Sequence, residues 1–195
     1  TEALASLPHL VGASDDVTDF QPTHDVVARA WQRYPGLRIP ATQRVLEALM
    51  PAVIEQKVTG ADAFASWRRL VQKFGSPAPG PAPEGMKVMP DAQALAAIPS
   101  WEWHALGIGP ERYRTLQACS RVAQQLERLS TGDRAAFYRG LTSIPGVGIW
   151  TAAEVGGRAL GDADAVPFGD YHLQAVAGMG LRGQPFNSDS EVAEA

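Results

Sequence analysis

The sequence holds one cysteine in 195 residues, Cys119. A single thiol excludes an internal disulfide and a four-cysteine cluster, and its simplest reading is a small buried hydrophobe. No apolar run approaches the length of a membrane span, and no secretory signal pattern opens the chain. The histidines are scattered without ligand spacing, so neither a metal nor a cofactor is expected. Basic charge is also short: 17 Lys and Arg stand against 21 Asp and Glu, for a net charge of −4. That weighs against a nucleic-acid binder built on a broad basic face. It leaves room for one that grips a few phosphates through backbone amides and local arginines. Period-two alternation and internal repeats are missing as well. What remains is helical periodicity, and the expected fold class is all-α.

The chain is long enough to bury one sizeable core or two small lobes. Leu7 to Gln21 reads as a loop, and Thr23 is placed to cap a short helix through Val26, Val27, Ala30 and Trp31. Thr42 is expected to open a strong helix with Val45, Leu46, Leu49, Val53 and Ile54 at helical spacing, kinked or broken at Pro51. The next amphipathic helix carries Phe64, Trp67, Leu70, Val71 and Phe74, all read as core, into Gly75. A Pro/Ala/Gly loop follows, then a short helix capped by Asp91 and a segment holding Trp101, Trp103 and His104. From Glu111 one long helix turns Leu116, Cys119, Val122, Ala123 and Leu126 to one face, leaving Arg112, Arg114, Arg121 and Arg128 solvated. Asp133 caps a helix through Phe137 and Leu141, and a last helix runs through Leu173, Val176 and Met179. The tail beyond Gln184 is polar.

The most informative stretch runs from Leu141 to Leu173, LTSIPGVGIWTAAEVGGRALGDADAVPFGDYHL. Gly146 and Gly148 lack a Cβ and permit close approach of another molecule. They precede a helix start whose first amides have no intrahelical partner and whose dipole end is positive, a ready site for a phosphate. Taken alone, the turn reads first as a plain corner between two helices. Asp170, after Pro167 and Gly169 and before a helix, is by itself as well read as a helix cap.

In order, Leu141, the turn from Ile144 to Gly148, Thr151-Ala152 and the loop ending in Asp170 resemble the helix-hairpin-helix plus Gly/Pro-rich loop plus aspartate signature of the HhH-GPD DNA glycosylases. Trp150 and the pair Asp170-Tyr171 look most like the 3-methyladenine (alkylpurine) branch. The resemblance extends from about Pro35 to the end. It implies two helical lobes around a cleft: 36–162 as the central lobe with the hairpin at about 141–157, and 1–35 with 163–195 as a second lobe. An N-terminal β-rich domain, frequent in this branch, has no counterpart in this sequence. The chain ends at SDSEVAEA, about where a closing helix is expected to begin, so a truncated piece with an incomplete second lobe is expected.

The resemblance implies a monofunctional glycosylase that flips an alkylated purine out of double-stranded DNA and hydrolyses its N-glycosidic bond. Asp170 would stabilise the oxocarbenium-like sugar and activate water. Trp150 stands where lyase-type members carry a lysine, and with no amine it cannot form a Schiff base. Trp150, Tyr171, Glu154 and Trp103 are the candidate base pocket, with Trp101 beside them. Gly146, Val147, Gly148 and Thr151 are the candidate phosphate grip, and Gln56 with Lys57 the tip that probes the gap left by the flipped base. No iron–sulfur cluster and no membrane are implied; a monomer in a bacterial-type cytoplasm, used at the nucleoid, is expected. The competing readings are an endonuclease III-type lyase, opposed by Trp150 and the single cysteine, a non-catalytic or inactive DNA-binding module, and a helical protein scaffold.

Overall fold

The structure, a computed structural model, describes residues 2–195, so Thr1 lies outside the described residues. Its centre is α3 (Val45–Ile54), in which eight of ten residues are buried. The sequence VLEALMPAVI is apolar nearly all round, which suits a helix enclosed on every side. Around it pack α4 (Gly60–Phe74), α7 (Pro110–Arg121), α8 (Ala123–Leu129) and α10 (Ile149–Leu160). α10 approaches closely because its buried face is mostly small residues, Thr151, Ala152, Ala153, Gly156 and Ala159, with Val155 among them. α9 (Arg134–Thr142) lies against α8 and α10, while α5 (Ala92–Ala97) and α6 (Ser100–Ala105) lie against α7.

The contiguous buried apolar cluster draws on residues between Val45 and Ala159. The flanking helices α1 (Glu2–Leu10), α2 (Asp25–Arg33), α11 (Leu173–Arg182) and α12 (Asp189–Ala193) bury little. α11 buries only Gly178, and α2 and α12 bury no residue. No helix among the described residues is long and apolar enough to cross a membrane.

Tertiary contacts moved several boundaries. The central helix starts at Val45 rather than Thr42, because the amides of Thr42 and Gln43 bond instead to the carbonyls of Arg158 and Ala159 at 2.9 Å. The Glu127 carboxylate, reaching over from α8, then caps the amides of Val45 and Leu46 at 2.9 Å each. Pro51 is carried inside α3 without a break. The long helix expected from Glu111 divides at Val122, just after Ser120 bonds back to the Leu116 carbonyl at 2.7 Å, a bond that bends helices. Leu7 to Leu10 belong to α1 rather than to a loop. Phe64 is no core residue: it is 61% exposed, under the Arg68 guanidinium. The Pro/Ala/Gly loop is closed by a two-residue antiparallel ladder, β1 (Ser76–Pro77) with β2 (Lys87–Val88), whose register pairs Ser76 with Val88.

Candidate active site

The hairpin between α9 and α10 is pinned from inside. Ile144 and Val147 are buried, and the Val147 amide donates to the Ile144 carbonyl at 3.0 Å. Gly146 has φ +89°, and a Cβ there would stand 2.0 Å from the Thr115 hydroxyl, which donates to the Pro145 carbonyl. The turn is therefore seated directly on α7. Gly148 is the extended N-cap of α10, with no atom within 4 Å of a would-be Cβ. The amides of Gly146, Gly148, Ile149, Trp150 and Thr151 have no acceptor among the described residues. Unpaired amides at the positive end of a helix suit an anion.

Gln56 braces this hairpin across the turn after α3. Its amide donates to the Gly146 carbonyl at 2.9 Å and to the Thr151 hydroxyl at 2.8 Å. Lys57, the next residue, is exposed and holds a left-handed φ of 55°, unusual for a residue with a side chain. Arg112 steadies the same corner, donating to the Ile54 carbonyl at 2.7 Å and the Gly107 carbonyl at 3.2 Å.

After α10 the chain turns at Gly161 and enters the segment that ends in Asp170. Asp162, buried, organises its start: it accepts the Tyr138 hydroxyl, pairs with Arg134 at 2.9 Å and receives the Asp164 amide at 3.1 Å. Burial, and then the Asp162 carboxylate, push the Tyr138 phenol above its ordinary range. Gly156 makes room for that phenol, since a Cβ there would meet its oxygen at 2.0 Å.

Asp170 is half-buried, and each of its oxygens is held by one donor. Oδ2 accepts the Trp150 indole N–H at 3.1 Å, and Oδ1 accepts the His172 amide at 2.8 Å. The first bond joins the start of the hairpin helix to the loop aspartate across 20 residues of sequence. The second closes a local turn two residues long; the next helix begins only at Leu173, behind His172, so Asp170 braces the turn before that helix and does not cap it. A carboxylate fixed in this way can stabilise a developing cation or orient a water. One turn further along α10, Glu154 pairs with Arg158 at 2.7 Å. Burial raises the Glu154 carboxyl above 4.5; Arg158 opposes this, and the charges of Glu55 and Asp170 add to it.

The structure thus brings Asp170, Trp150 and Glu154 together and sets Gln56 against the hairpin. Several expectations need correction. Trp103 is fully buried, donates to the Ile98 carbonyl at 3.1 Å and stacks on Tyr113, so it is core and lines no base pocket. Val147 spends its amide and its side chain inside the fold and has no donor left for a phosphate. Gln56 spends its side-chain amide on the hairpin, as a strut. Thr151 is 2% exposed with its hydroxyl accepting from Gln56, which leaves only its backbone amide for an anion. Tyr171 is 91% exposed, its ring edge against His172, and does not pack beneath the hairpin. Trp101 is 70% exposed. Arg112 and Asp162 escaped sequence reasoning: an arginine on an amphipathic helix reads as solvated, and one Asp among three in a loop carries no mark.

Elsewhere, a groove of about 530 Å³ lined by Arg44, Leu46, Glu47, Met89, Ala123 and Arg128, among others, includes none of these residues. Cys119 is buried and its thiol is pushed up to about 12, leaving it inert.

No protein-family model matches the chain. Over 145 residues it is 34% identical to the probable bifunctional transcriptional activator/DNA repair enzyme AlkA of Mycobacterium tuberculosis, an alignment covering 73% of this chain and 29% of that protein. The chain therefore spans under a third of the length of that curated relative. Among solved structures, the 3-methyladenine DNA-glycosylase of Archaeoglobus fulgidus superposes with a TM-score of 0.77 at 20% identity, covering 99% of this chain and 67% of that one. The 8-oxoguanine glycosylase/lyase of Clostridium acetobutylicum, in complex with DNA, superposes at 0.75 and 15% identity, over 99% of this chain and 68% of that one. The all-α fold, its hairpin and this alignment agree: the chain has the fold of the HhH-GPD DNA glycosylases, and its sequence likeness lies with a DNA repair enzyme of the alkylpurine side.

Proposed function

We propose that this chain carries the catalytic body of a monofunctional DNA glycosylase that removes alkylated purines of the 3-methyladenine type. The observation that carries the proposal is the bond from the Trp150 indole to Asp170 at 3.1 Å, which sets an aromatic ring and an oriented carboxylate at the start of the hairpin helix. Residues 36–162 would form the hairpin lobe, and 1–35 with 163–195 the opposite wall of a cleft. The free amides of Gly146, Gly148, Ile149 and Thr151 would hold a phosphate of double-stranded DNA without reading sequence. The damaged nucleotide would be turned out of the stack toward Asp170, since its glycosidic carbon is unreachable inside the duplex.

An N-alkylated purine is already cationic, so its bond to the sugar is weakened and little acid assistance is required. Asp170 would stabilise the sugar cation and take a proton from the attacking water. The Trp150 ring would stack on the electron-poor base, a contact of about 0.5–2 kcal/mol. With tryptophan at this position there is no amine for a Schiff base, so the abasic strand would stay uncut. The Clostridium neighbour is a glycosylase/lyase, and that contrast is open to test.

The test is release of free base from N-methylated duplex DNA by the wild type and by Asp170→Asn, with alkali added afterwards. Release of 3-methyladenine that falls about 10²–10⁴-fold in the variant, with strand breaks only after alkali, supports the proposal. Strand cleavage without alkali refutes the monofunctional reading. Lesion-independent binding without base release by either protein favours a non-catalytic DNA-binding module.

A further inference from the structure

The segment that carries Asp170 is held from the far end of the chain. On its N-terminal side, the amide of Gly169 donates to Asp189 Oδ2 at 2.6 Å. On its C-terminal side, the side-chain amide of Gln174 donates to Asp189 Oδ1 at 3.1 Å. One carboxylate therefore ties residues 169 and 174 together, with Asp170 between them. Gly169 sits at φ +90°, a conformation few other residues adopt, so its amide direction depends on what holds it.

Asp189 is itself placed by a folded tail. The chain at 184–186 crosses α11 at Gly178, where a Cβ would come within 2.4 Å of the Phe186 amide. Phe186 is buried under the Arg182 guanidinium, and its amide donates to the Gln174 carbonyl at 3.0 Å. Ser188 then caps α12 by accepting the Glu191 amide, and Arg182 pairs with Glu191 at 2.8 Å. The result aims the first residue of α12 back at the Asp170 turn. In sequence this residue is one acid in a polar tail and carries no sign of such a role.

We infer that Asp189 is a positioning residue for Asp170: through the amides of Gly169 and Gln174 it fixes the carboxylate in register with the Trp150 indole. The inference rests on Asp170 being the reacting carboxylate. A displacement of about 1 Å at a reacting group costs on the order of 10²-fold in rate, so losing this tie is expected to show in chemistry more than in binding.

The test follows the Trp150 indole N–H by nitrogen-15 NMR, assigned with Trp150→Phe, in the wild type, Asp189→Ala, Asp189→Asn and Asp170→Asn. That proton reports on Asp170 whether or not any base is released. In Asp189→Ala the signal is expected to shift toward its position in Asp170→Asn and to exchange faster with solvent. Single-turnover base release should fall about 10–100-fold, with affinity for abasic duplex within about two-fold of wild type. Asp189→Asn keeps one acceptor oxygen and is expected to fall between, and it replaces the alanine variant if that protein does not fold. Lower thermal stability with an unmoved Trp150 indole signal overturns the inference and reduces Asp189 to a tail anchor. A wild type that releases no base defeats the proposed activity, while the indole signal still decides the role of Asp189.

Discussion

Replacing Gln56 by alanine separates two roles that the same position can hold. As a strut, Gln56 supplies two hydrogen bonds, to the Gly146 carbonyl at 2.9 Å and the Thr151 hydroxyl at 2.8 Å. Each contributes about 0.5–1.5 kcal/mol net. Thr151 is 2% exposed, so the variant also leaves a buried hydroxyl without this partner, a cost of about 1–3 kcal/mol unless the hydroxyl rotates to a turn carbonyl. The Gly146 carbonyl lies in an exposed turn and recovers a water, which offsets part of the loss. The expected destabilisation is about 1.5–3 kcal/mol, which for a domain of this size lowers Tm by about 3–12 °C. The assay pairs thermal unfolding with binding to undamaged and abasic duplexes. A strut that loosens the hairpin weakens both duplexes by the same factor. If Gln56→Ala unfolds within about 0.5 kcal/mol of wild type and loses affinity for the abasic duplex alone, the residue reads the gap and the strut role is refuted.

Two further outcomes follow from the same geometry. Gly146→Ala forces a side chain onto φ +89° and into the Thr115 hydroxyl at 2.0 Å, and is expected to cost about 1–3 kcal/mol in chemical denaturation. Gly148→Ala, with nothing within 4 Å, should cost no more than the about 1 kcal/mol of a poorer N-cap, so a larger loss of DNA affinity there reports on the phosphate site itself. For Glu154, whose carboxyl is raised above 4.5 by burial, the folded state holds its proton longer than the unfolded one. Its contribution is therefore full below that value and is lost as pH climbs through the raised folded value. Glu154→Gln should gain stability relative to wild type as pH rises through that window, in urea titrations at stepped pH, and a difference independent of pH would refute the assignment.

The sequence alone determined the helical class and the corner of the hairpin, because these depend on local chemistry, and it marked the aspartate loop through its resemblance to a known signature. Apolar periodicity marks buried faces, and the Pro-Gly-Val-Gly turn marks a corner. The tertiary structure decided what each marked residue does. Trp103 and Trp150 both sit within helices, yet one is enclosed by Tyr113 and the Ile98 carbonyl while the other turns its indole N–H to Asp170. Val147 looked like part of an exposed grip, but the turn folds its amide onto Ile144. The roles of Gln56, Arg112, Asp162 and Asp189 were invisible for a common reason. Their partners are distant in sequence or are backbone groups, and backbone donors and acceptors are the same at every residue. Only folding shows which of them lie within reach of a given side chain.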